Sequence, residues 1–252
     1  MNNFLARLAI LPVLVLLWQC VTWAAGGHSY IFPGPILVAE SWVAHWQNLL
    51  SQAGTTALEI VIGLLLGAAF GAASALGMAS SPKLRRLMLP VLVASQAVPV
   101  FALAPVLVLW LGYGLSSKIA MAVVVIFFPV SAAFLDGLRR TDPGWIELAH
   151  TMDARPIAVL LRLRLPAALP ALASGLRVAT AVAPIGAVIG EWVGSSAGLG
   201  YTMLQANARM QIPLMFAALL TLAVFSVALY LAVDALLRRL VPWKTESLPS
   251  DA

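Results

Sequence analysis

The apolar residues of this chain gather in long blocks separated by short polar stretches, and each block is the length of one bilayer crossing, about 20 residues for a helix. Six such spans are predicted, over residues 8–25, 56–78, 87–111, 119–135, 172–193 and 213–237. The pattern predicts an all-α, polytopic transmembrane helical bundle in a single domain, residues 1–252, with a core over about 50–240. Between the first two spans, Gly26, Gly27, His28, Pro33, Gly34 and Pro35 break helices. Residues 40–55, with Trp42, His45, Trp46, Gln47 and Asn48, have the mixed pattern of a helix lying at the membrane interface, or else of a connecting loop. The first block also admits a cleaved signal peptide, with Arg7 before its apolar stretch and Ala24-Ala25 after it. Its length and the membranous remainder of the chain favour an uncleaved span.

Composition narrows the class. Hydrophobic residues make up 62% of the chain and charged residues only 10%, which excludes an ordinary water-soluble enzyme. The net charge of +5 does not point to nucleic acid, because the basic residues flank apolar spans and form no single polar face. They set an orientation instead. With the N-terminus inside, Arg7, the cluster Lys83, Arg85 and Arg86, the cluster Arg139, Arg140, Arg155, Arg162 and Arg164, and the last group Arg238, Arg239 and Lys244 all fall on the cytoplasmic side. Lys118 and Arg209 are left outside, Arg177 lies just within the fifth span, and both termini are cytoplasmic. Cys20, the single cysteine, cannot form an internal disulfide and lacks a lipoprotein cleavage context, so it reads as a small packing or lipid-facing residue.

Gly63, Gly67 and Gly71 in the second span, and Gly186, Gly190 and Gly194 in the fifth, recur at four-residue spacing and predict close helix packing; a sliding or dimer-forming face is the alternative. Pro99, Pro105, Pro129 and Pro184 permit kinks. Polar groups inside a span are expensive unless paired or wetted. Gln96, Arg177 and Glu191, with Pro99 and Pro105, are therefore the candidates for a pathway through the bundle, while Glu59 and Asp234 lie nearer span ends. Arg177 fits snorkelling or pairing at the boundary, and Glu191 fits a pathway, a partner contact or an interfacial anchor. Trp110, Trp192 and Tyr201 suit interfacial belts, with stacking on an aromatic ligand as the alternative. No catalytic constellation emerges, since His28, His45 and His150 are far apart and no Ser or Cys has a nucleophile motif. A phosphate-binding Gly-rich loop is absent too, so any ATP used would be bound by another subunit.

The most informative segment is the loop 136–170. Asp142 is placed to cap a helix opened by Pro143, and Trp145, Ile146, Ala149 and Met152 then recur on one apolar face. After a turn near Asp153 and Ala154, Pro156 opens a second helix carrying Ile157, Leu160, Leu161 and Leu163, which Leu165-Pro166 is expected to stop. A solvated, positively charged loop is the plain alternative.

At these residues the chain resembles the inner-membrane permease subunits of binding-protein-dependent ABC importers. Their loop signature E-A-A-x3-G-x9-I-x-L-P is matched in spacing by Glu147-Leu148-Ala149, Asp153, Leu163 and Leu165-Pro166. Leu148 replaces the middle Ala, and Asp153 replaces the Gly of the turn, a position where Asp tolerates left-handed backbone better than most residues. Further matches, among them Phe32-Pro33-Gly34-Pro35, Phe127-Phe128-Pro129 and Gly198-Leu199-Gly200-Tyr201, extend the resemblance over about residues 31–243 and point to the branch importing sulfonates, taurine, nitrate and thiamine-precursor pyrimidines. Ile189-Gly190-Glu191-Trp192-Val193-Gly194 looks most like the hydroxymethylpyrimidine type.

The resemblance implies a type I importer permease fold, in a bacterial inner membrane, with a cytoplasmic coupling helix that docks on an ATPase subunit. Glu147, Ala149, Asp153, Leu163, Leu165 and Pro166 take that coupling role by motif position. It further implies a second copy of this chain, two cytoplasmic ATPase subunits holding ATP and Mg, an extracytoplasmic solute-binding protein, and no cofactor or catalysis on this chain. The implied cargo is a thiamine-precursor pyrimidine or else a sulfonate, taurine or nitrate. A stand-alone secondary transporter, which would favour a midplane acidic residue, remains the alternative from another class.

Overall fold

The computed structural model describes residues 2–24, 26 and 30–243; Ala25, Gly27, His28 and Lys244 lie outside the described residues. The helices are α1 (Asn2–Ala24), α2 (Pro35–Ser80), α3 (Pro82–Ala97), α4 (Val100–Leu111), α5 (Leu115–Arg139), α6 (Pro143–Thr151), α7 (Pro156–Val159), α8 (Leu165–Gly194), α9 (Leu199–Ala208) and α10 (Ile212–Leu240), with a π-helical turn, Leu160–Arg164, joining α7 to α8. Among the described residues there is no strand. Among the described residues, four stretches are long and apolar enough to cross a membrane: Pro35–Ser80, Leu115–Arg139, Pro156–Gly194 and Ile212–Leu240. The bent pair α3 and α4 passes the same test when its two helices are taken together as one broken span, and Pro12–Ala24 within α1 is a shorter apolar helix.

Three local expectations change. The block 87–111 is not one straight helix, because α3 and α4 are bent by 104° at a break before Pro99. The residue preceding a proline is driven out of the helical region, and Val98 accordingly sits at φ −81°, ψ 121°. Residues 40–55 are neither a separate interfacial helix nor a loop. They belong to α2, which runs unbroken for 46 residues except for a kink at His45 (φ −119°, ψ 15°). Finally, Leu165-Pro166 does not stop the second loop helix, which continues through the π turn into α8. A proline inside a regular α-helix clashes with the carbonyl four residues back. The wider turn before Pro166, closed by the bond from Leu165 N–H to Leu160 O, relieves that conflict.

α5 is the centre of the bundle, packed most extensively on α8 and α2. The glycine stripes explain how. Gly67 faces Ile126 and Gly71 faces Val130, so α2 and α5 run parallel; Gly175 faces Ala133 and Gly186 faces Ala122, so α8 runs antiparallel to α5. A Cβ on Gly67 would lie 2.7 Å from Ile126 Cγ2, and one on Gly186 2.8 Å from Ala122 Cα. These stripes are sites of close backbone approach within the chain. Ile60, Ala122, Ile126, Val130, Ala179 and Ala183 form the buried core between the three helices.

Candidate functional site

Three places hold the chemistry: the α6 loop at one end of the bundle, a groove near the middle of α5 and α8, and a polar clasp at the end opposite α6.

The α6 element forms as its sequence dictates. Asp142 Oδ1 accepts from Gly144 N–H at 2.8 Å, and Pro143 fills the first turn, where no amide donor is needed. At the other end Asp153 takes φ 55°. Its N–H donates to His150 O, and Ala154 N–H donates to Ala149 O, both at 3.0 Å. This is a left-handed helix cap with Asp standing where glycine usually serves. No residue of α6 is buried. Trp145, Leu148 and Met152 are 56%, 60% and 74% exposed, and with Ala158 and Leu163 they line an open, apolar cleft of about 350 Å³. Glu147 is exposed on the same helix, whereas Leu165 and Pro166 open α8 beneath it. A purely solvated loop would carry no such apolar surface.

The groove lies between α3, α5 and α8, holds about 360 Å³, and is lined by Ser95, Gln96, Phe128, Pro129, Val182 and Ile185 among others. Of the five residues expected on a pathway, Gln96 lines this groove, while Pro99 and Pro105 are exposed on the neighbouring bent pair. Arg177 and Glu191 are engaged elsewhere. Arg177 Nε donates to Asp234 Oδ1 at 2.5 Å, and Arg238 Nε holds the other oxygen of the same carboxylate at 2.9 Å. Arg177 therefore ties α8 to α10. Glu191, only 1% exposed, belongs to the clasp.

In that clasp the first-turn amides of α9, which no intrahelical acceptor satisfies, are taken up by side chains of α2 and α8. Gln52 Oε1 accepts from Gly198 N–H at 2.6 Å, Thr56 Oγ1 from Leu199 N–H at 2.8 Å, and Glu191 Oε2 from Gly200 and Tyr201 N–H at 2.5 and 3.1 Å. Thr56 in turn donates to Glu191 Oε1 at 2.6 Å. Gly198, at φ 111°, brings its backbone so close that a Cβ there would collide with the Glu191 carboxyl. Beside this sits an ion pair, Lys118 Nζ to Glu59 Oε1 at 3.4 Å, with both groups buried. Sequence reasoning missed this pairing, because Lys118 was counted as an outer-loop charge. The available signal was position: Glu59 lies about one turn inside the second span and Lys118 directly at the start of the fourth, both at the same end of the bundle. Trp110 and Trp192 are exposed, and Tyr201 is half-buried.

A family model described as "Binding-protein-dependent transport system inner membrane component" matches residues 60–246. A Haemophilus influenzae protein named "Probable ABC transporter permease protein" is 54% identical over 95% of this chain and 98% of its own length. The formylaminopyrimidine transport permease protein ThiX of Halalkalibacterium halodurans is 35% identical over 94% of this chain and 96% of its own. The taurine transport system permease protein TauC of Escherichia coli is 30% identical over 80% and 72%. Among solved structures, a chain of the inward-facing MetNI methionine ABC transporter superposes with a TM-score of 0.61 at 20% identity, covering 77% of this chain and 94% of that one.

Proposed function

We propose, from the premise that this chain belongs to the family of binding-protein-dependent transport system inner membrane components, that it forms the solute pathway of an ABC importer and couples it through α6 to a separate ATPase. Its fold is that of a type I importer permease. The observation that carries the coupling role is the α6 face: an apolar, capped, solvent-facing helix tied by the short turn at Asp153 to α7, which runs without interruption into α8, a core helix of the bundle. A body docked in the α6 cleft and moving by a few ångströms would move α8 with it. ATP and Mg belong to that partner, and hydrolysis is its chemistry.

In this reading the α6 end is cytoplasmic, in keeping with Arg139, Arg140, Arg155, Arg162, Arg238 and Arg239 at that end. The α9 end faces a solute-binding protein, and a second copy of this chain completes the pathway. ATP binding closes the paired ATPase subunits, α6 transmits the closure, and access alternates between the two sides; each step requires the ligand to favour one state over the other. The cargo is a thiamine-precursor pyrimidine, in line with the formylaminopyrimidine relative at 35% identity. The taurine relative at 30% keeps small sulfonates as the second reading.

Glu147→Arg tests the coupling role. The exposed carboxylate is not needed for the fold, so the variant should reach the membrane at normal levels. Solute uptake should fall at least tenfold while the ATPase subunit keeps hydrolysing ATP. Unchanged uptake would remove Glu147 from the docking surface.

A further inference from the structure

We propose that the groove between α3, α5 and α8 is itself charge-selective: it passes an uncharged solute whose hydrogen-bonding edge is read by Gln96, and it turns organic anions away. This rests on the proposed function above and takes this groove, which the pathway candidate Gln96 lines, as part of the solute route.

The lining carries the argument. Its polar side chains are Ser95 and Gln96, the remainder being apolar. Ser95 Oγ already donates to Leu92 O at 2.8 Å, which leaves Gln96, exposed in the groove, as the group with both a donor and an acceptor to offer. A second acceptor comes from the backbone. Pro129 has no N–H, so the Val125 carbonyl lacks its helical partner, and both residues line the groove.

Cations are conspicuous by their engagement elsewhere. Lys118 is held 3.4 Å from Glu59 in the buried clasp, and Arg177, although next to Val178 in sequence, is bound to Asp234 on α10. An anion entering this groove would give up water and meet neither a positive charge nor a cluster of amide donors, so its entry is strongly disfavoured. A flat, neutral ring loses little by comparison. Its faces meet Phe128 and Val182, and its polar edge meets the Gln96 amide and the Val125 carbonyl. Selection would then be shared between the binding protein and the permease.

The test uses the transporter purified with its ATPase subunit in liposomes, with Cys20 replaced by Ser and a single reporter thiol from Val182→Cys. The thiol is reacted with neutral methyl methanethiosulfonate and with its anionic sulfonatoethyl counterpart, each rate normalised to that reagent's rate with free cysteine. Both reactions are run with and without vanadate-trapped nucleotide. The expected result is a nucleotide-dependent rate, with the neutral reagent at least tenfold faster. Adding Gln96→Arg should accelerate the anionic reagent selectively. Nucleotide-dependent but equal normalised rates would overturn charge selection and leave the pathway standing. Rates indifferent to nucleotide for both reagents would overturn the pathway reading, and this inference with it.

Discussion

Replacing Lys118 by Met removes the ammonium 3.4 Å from Glu59 Oε1 while keeping a side chain of similar length, including the methylenes that pack near Gly190. Glu59 is fully buried, and neither of its oxygens has a hydrogen-bond partner. The carboxyl of Glu191 lies beside it. With the lysine gone, the Glu59 carboxyl is left in a buried site beside a second carboxyl, with its positive partner removed. Breaking one partner from a buried pair costs roughly 3–5 kcal/mol, which for a chain of this size lowers the unfolding midpoint by on the order of 10 °C. Glu59→Gln should reverse most of that loss in the Lys118→Met background, because it removes the stranded carboxyl. The assay is thermal unfolding of the detergent-solubilised protein for the wild type, both single variants and the double variant. A midpoint for Lys118→Met within about 2 °C of wild type, or a double variant whose loss is simply additive, would refute the account of this pair.

Two further outcomes follow from backbone geometry. Gly198→Ala forces a side chain into φ 111° and against the Glu191 carboxyl; the backbone alone costs about 1–3 kcal/mol, so α9 should loosen, read as faster proteolysis at residues 198–211, and unchanged proteolysis would contradict the clasp. At Asp153, held at φ 55°, Gly should be accepted while Val, costing about 1–2 kcal/mol in left-handed backbone, should more than halve the recovery of the ATPase subunit in co-purification.

How far the sequence reached depended on the range of the interactions involved. The loop was legible almost residue by residue, since Asp142, Pro143 and Asp153 act within four residues of themselves and their capping follows from local rules. The glycine stripes were legible as packing surfaces for a similar reason: spacing fixes a face. It did not say which helix lies opposite, and the parallel seating of α2 on α5 came only with the structure. Pro99 marked a kink correctly in kind, but the size of the bend, 104°, is set by how α4 packs on α5 and α8. Pro166 was misjudged because the relief supplied by a π turn has no sequence mark. Arg177 and Glu191 were singled out rightly as costly groups, yet their partners, Asp234 on α10 and Thr56 on α2, are 57 and 135 residues away in sequence. Pairing at that distance is a tertiary fact. The Lys118 and Glu59 pair was hidden in the same way, behind a charge count that treats every lysine near a span end as exposed.

Whether α6 recruits an ATPase is the claim on which the functional account stands. The direct measurement is a pull-down of the membrane-extracted protein, with mass spectrometry of what co-purifies, set against the Glu147→Arg variant, whose change is confined to the exposed α6 helix. The account predicts an ATPase subunit in stoichiometric yield with the intact chain and its loss from the variant. Absence of any ATPase, together with solute uptake by liposomes containing this chain alone, would contradict it and make the protein a secondary transporter.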